Sequence, residues 1–95
     1  MPEILEVRYP GGLTGVRPRP VARGAAFKII CNDPGTLEVK FQGHSPIQDN
    51  RLSIGPDHEF VAFHPGNFHF ACTLVTPTGE RLEIDGGEIE VLPGN

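Results

Sequence analysis

Asn67-Phe68-His69-Phe70-Ala71-Cys72-Thr73-Leu74-Val75-Thr76 is the stretch that decides the fold. Successive side chains of an extended strand project to opposite faces. Phe68, Phe70, Cys72 and Leu74 therefore line one side of this segment, with His69, Ala71 and Thr73 on the other. Outward from it, the same two-residue period recurs near residues 3–9, 25–31, 36–41, 51–54, 58–63 and 81–92. Asp85-Gly86-Gly87 splits the last of these into two strands or bends a single one, giving seven or eight strands. No stretch sustains the 3.6-residue period of a helix.

Between these segments lie Pro10-Gly11-Gly12, Asp33-Pro34-Gly35, Gly55-Pro56-Asp57, His64-Pro65-Gly66-Asn67 and Pro77-Thr78-Gly79. Proline sets φ near −65° and glycine accepts positive φ, so these are turns with a mechanism. Residues 10–24 hold three prolines and four glycines and read as a long edge connection with a short strand around Leu13–Arg17. The chain of 95 residues, with 12 glycines and 10 prolines, has no internal repeat or linker, and 1–95 reads as one domain. The expected class is all-β: an antiparallel two-sheet Greek-key sandwich.

The alternation also predicts the core. Phe27, Ile29 and Cys31 share a face, as do Leu37, Val39 and Phe41, and Val61 with Phe63, Ile89 and Val91 complete the set. Five of the six phenylalanines fall in phase with these stripes. Phe60 does not, and with Ile30 and Ala62 it is expected to form an outward interaction patch; a one-residue slip of the strand explains it equally well. Cys31 and Cys72 both point inward. They fit a cross-sheet disulfide in an oxidising compartment and two buried thiols in a reducing one.

Residues 1–30 carry Arg8, Arg17, Arg19, Arg23 and Lys28 against Glu3 and Glu6, a net +3, while the remainder carries −7 and the chain −4. The basic edge, with Arg17 and Arg19, suits an acidic surface on a partner or a second copy. No basic cluster is interleaved with aromatics, which argues against nucleic acid. No apolar run reaches the roughly 18 residues of a membrane span, and Met1-Pro2-Glu3-Ile4 is unlike a signal peptide. The expected location is cytoplasmic if Met1 is the native start, and exported or periplasmic if a leader has been trimmed away.

Pro65-Gly66-Asn67-Phe68-His69-Phe70-Ala71-Cys72 resembles the cupredoxin strand that ends in the copper-ligating cysteine. Gly87-Glu88-Ile89-Glu90-Val91 is similar to the last strand of that family, and Asn32-Asp33-Pro34 through Val39-Lys40-Phe41 resembles the segment around its first ligand histidine. The resemblance covers residues 25–95 in order and implies a cupredoxin-like sandwich. An immunoglobulin-like sandwich is the rival; that family favours Asp at Gly66, Tyr at Phe70 and a Trp after Cys31. A blue-copper centre needs two imidazoles and a thiolate. Leu37 stands where the first histidine belongs, and Cys72 is followed by Thr73, Leu74 and Val75. Only Cys72 of the ligand set is present, so no cofactor is expected.

His44, His58, His64 and His69 offer other ligands, and His64, His69 and Cys72 are the set for an alternative metal or redox protein, although His69 and Cys72 alternate in direction. Ser45 beside His44, or Ser53, lacks a nucleophile elbow. Glu88 and Glu90 read as solvated, and Gly11-Gly12 and Gly86-Gly87 lack the Lys and Ser/Thr of a phosphate loop. No catalytic constellation results. The expected function is a non-catalytic binding or assembly module that contacts a protein partner or itself through edge strands and the Ile30, Phe60 and Ala62 patch. A carbohydrate or small-ligand pocket formed by residues 42–50 and 64–67 is a third reading.

Overall fold

The computed structural model describes residues 2–55 and 58–94, so Pro56 and Asp57 of the expected Gly55-Pro56-Asp57 turn lie outside the described residues. Among those described there is no helix and there are nine strands: β1 (Glu3–Arg8), β2 (Gly12–Leu13), β3 (Arg19–Ala22), β4 (Ala26–Cys31), β5 (Thr36–Phe41), β6 (Ser53–Ile54), β7 (Phe60–Val61), β8 (Gly66–Val75) and β9 (Arg81–Leu92). They form a four-stranded sheet in the order β2-β1-β4-β7 and a five-stranded sheet in the order β3-β9-β8-β5-β6. The radius of gyration, 12.6 Å, is close to the ~12 Å of a compact chain of this length.

The sheets are mixed, which corrects the antiparallel expectation. β1 runs parallel to β4, and β3 runs parallel to β9; the other pairs are antiparallel. Alternation identifies a strand and its faces but says nothing about its neighbour or direction. The chain leaves the first sheet after β2, contributes β3 to the second and returns as β4, so the strands met first and last in sequence gain parallel partners. Pro20 sits in β3, an edge strand, where a missing N–H is tolerated.

Leu5, Val7, Phe27 and Ile29 of the first sheet meet Leu37, Val39, Phe41, Phe68, Phe70 and Leu74 of the second in one buried cluster. Each large side chain so buried contributes about 1.5–3 kcal/mol of transfer free energy. β9 is continuous but irregular. Phe70 pairs with Gly87 and Cys72 with Ile84, so β9 carries one extra residue and bulges. The bulge resets the side-chain phase: Ile84 is buried before it and Ile89 and Val91 after it, which keeps Glu88 and Glu90 off the core. The Asp85 N–H donates to Pro10 O at 3.1 Å, tying the bulge to the loop before β2.

β7 corrects the expected core. Val61 is 51% exposed, Ala62 is fully buried, and Phe60 packs on the core with its ring centroid 6.2 Å from that of Phe27. Phe27 pairs with Phe60 and Ala26 with Val61, so Val61 takes the outward place expected of Phe60. A strand of two residues offers alternation too little length to set its phase.

Candidate functional site

At one end of the second sheet, the loop between β5 and β6 and the turn before β8 form a shallow open cleft of about 530 Å³, lined by His44, Ser45, Gln48, Asn50, His64 and Phe68 among others. That volume falls within the range of small-molecule sites, roughly 300–1,000 Å³. The loop is held by its own polar groups. Ser45, buried, donates its N–H to Asn50 Oδ1 at 2.8 Å, and its Oγ accepts the Ile47 N–H at 3.3 Å. The Asn50 N–H donates to Ile47 O at 2.8 Å, and Asn50 adopts φ 58°, a left-handed conformation that asparagine tolerates better than most residues.

The two loops are also joined to each other. Pro46 O accepts the N–H groups of Phe63 and His64 at 2.8 and 3.0 Å. His64 Nε2 lies 3.2 Å from Gln48 O, and since a carbonyl only accepts, that nitrogen carries the proton. His44 packs edge-on to Phe68 with centroids 4.9 Å apart. Asp49 belongs to the same rim, accepting the Arg51 N–H and pairing with its guanidinium at 3.3 Å. The cleft lies between the two loops, 42–50 and 64–67, of the third reading, and Phe68 at its base belongs to the core.

The expected interaction residues are not brought together as one surface. Ala62 is buried and Phe60 faces the core, which leaves Ile30 alone of that patch on the outer side of the first sheet. Glu6 lies beside it, and the exposed apolar residues of that face are Ile4, 45% exposed and level with Lys28, and Val61, level with Ala26. Arg17 donates from Nη2 to Gly11 O at 2.6 Å and from Nε to Leu13 O at 3.0 Å, fastening the loop around β2. Arg19 donates to Ile4 O at 3.3 Å and pairs with Glu3 at 3.2 Å, linking β3 of one sheet to β1 of the other. Both arginines are thus engaged within the chain.

Cys31 and Cys72 are free thiols. Cys31 Sγ donates to Asp33 Oδ2 at 3.5 Å, and its pKa is raised, chiefly by burial. Burial pushes the Cys72 thiol up to about 12, with the neighbouring Cys31 adding to the shift. Such a thiol is a poor nucleophile at neutral pH. The positions that resemble a copper site do not fit the metal: Leu37 is a buried aliphatic paired with Leu74, and Thr73, Leu74 and Val75 follow Cys72. His69 projects from the outer face of β8, 3.8 Å from Glu88, while Cys72 faces the core, so His64, His69 and Cys72 do not converge. Among the described residues no group of three or more His, Cys, Asp or Glu side chains is arranged to hold a metal ion.

The same residues include no helix long and apolar enough to cross a membrane. No family model, curated protein or solved structure matches the chain.

Proposed function

We propose that this chain is a non-catalytic binding or assembly module, built on a cupredoxin-like sandwich whose copper positions have been replaced by core residues, and that its simplest partner is a second copy of itself. The observation that carries the reading is the outer face of the four-stranded sheet. Ile4 and Val61 are about half exposed there, Val61 beside Ala26 of β4, with the half-buried Ile30 farther along the same strand. Lys28 lies beside Ile4 on this face and Glu6 beside Ile30. The face mixes apolar side chains with both signs of charge, Lys28 standing between Ala26 and Ile30 and Glu6 paired with Arg8 at 3.3 Å on β1, and a two-fold axis lets such a surface meet its own copy, the self-complementarity an isologous interface needs. A Greek-key path and kinship with cupredoxins rather than immunoglobulin domains belong to this proposal, the parallel β1–β4 and β3–β9 pairs favouring the former.

Light scattering on the full chain between about 1 µM and 1 mM, the range of weak homodimers, tests it. The expected result is a concentration-dependent dimer that Ile4→Lys or Val61→Lys converts to monomer without altering the circular dichroism. A strict monomer at every concentration sinks the proposal.

A further inference from the structure

We infer that the loop-end cavity between residues 42–50 and 63–68 is a binding site for a small neutral polyol of the sugar class. The inference concerns a different surface from the assembly face and does not depend on it.

The argument rests on which hydrogen-bonding capacity the loops leave unspent. Asn50 Oδ1 is taken by the Ser45 N–H, so Asn50 offers its Nδ2 donors. Ser45 is buried and its Oγ accepts from Ile47, so it braces the loop rather than facing a ligand. His64 Nε2 is committed to Gln48 O, which leaves Nδ1 as the ring nitrogen free of that bond. The Gln48 amide adds one donor and one acceptor group. The cleft thus offers both donors and acceptors, from Asn50, Gln48 and His64, and a hydroxyl-rich ligand, each of whose groups both gives and takes, matches them.

Charge and shape select further. Asp49, the carboxylate on the rim, is paired with Arg51, so the site presents no uncompensated carboxylate to attract a cation. The exposed His44 and Pro65, with His44 packed on the buried Phe68, supply the apolar surface for the C–H face of a pyranose. The double tie from Pro46 O to Phe63 and His64 holds the two loops in place before any ligand arrives, which lowers the ordering cost of binding.

The test is a titration of the isotopically labelled full chain with D-glucose, D-galactose, D-mannose and N-acetyl-D-glucosamine, followed by amide chemical shifts. Sodium acetate and sodium phosphate serve as charged comparators. At least one sugar is expected to give saturable shifts confined to residues 43–50 and 63–69. Gln48→Ala and His44→Ala, both on exposed side chains, are each expected to weaken it about fivefold, the value of one lost hydrogen bond or packing contact, with the unfolding midpoint unchanged. The proposal is overturned if no sugar saturates by ~100 mM, if the shifts survive both substitutions, or if only acetate or phosphate produces them. Val61→Lys should leave the sugar shifts intact, so failure of the assembly reading and failure of this one are separable.

Discussion

On the inward face of β8 the Cys72 thiol has exchanged water for the side chains of both sheets, and its pKa stands at about 12 against an ordinary 9.0. Between those values the folded chain keeps a proton that the unfolded chain releases. Stability from this group is therefore complete below pH 9 and is lost as pH rises toward 12, at up to about 1.4 kcal/mol per unit. Urea midpoints of the native chain and of Cys72→Ala, measured from about pH 8 to pH 11, should show a steeper alkaline decline for the native chain. Parallel profiles would mean that Cys72 ionises as it does in the unfolded state. At the same scale, Arg17 and Arg19, the cations of the basic edge, are each held by carbonyls of their own chain.

At the scale of elements, the β9 bulge explains a glycine pair that composition alone presents as a break. A Cβ on Gly86 would lie 1.5 Å from Phe70 O, and one on Gly12 would lie 1.8 Å from Asp85 O, so backbone packs on backbone around the extra residue. Gly86→Ala must move a main-chain carbonyl and is expected to cost about 3 kcal/mol, as severe overpacking does. Gly11→Ala, with nothing within 4 Å of its Cβ position, should stay within ~0.5 kcal/mol. Chemical denaturation of the two variants checks the pair, and equal effects would argue against the bulge as built. β7 gives the complementary lesson: with two residues it takes its phase from Phe27 and Ala26 across the ladder, not from its own pattern.

For the molecule as a whole, the apolar residues of both sheets belong to one cluster rather than two. A shared core couples the sheets, so unfolding should be a single transition, with far-UV circular dichroism and buried-methyl NMR signals giving coincident urea curves. Phe27→Ala in the first sheet and Phe70→Ala in the second should each shift that one transition by about 3–5 kcal/mol, a large part of the 5–15 kcal/mol usual for a domain. Separate transitions for the two substitutions would show that the sheets unfold independently.

The sequence by itself determined the all-β class, five of the long segments almost to the residue, and the inward stripes of β4, β5 and β8, because a two-residue period over six or more positions permits only one face to be apolar. It located the loop-end cavity only as two loops, since nothing in residues 42–50 states that Pro46 will receive Phe63 and His64. Sheet order, the two parallel pairings, the phase of β7 and the reset in β9 were decided by tertiary structure alone. Each depends on which backbone lies alongside which, and that choice is made when both sheets close over the same core, after local alternation has said all it can.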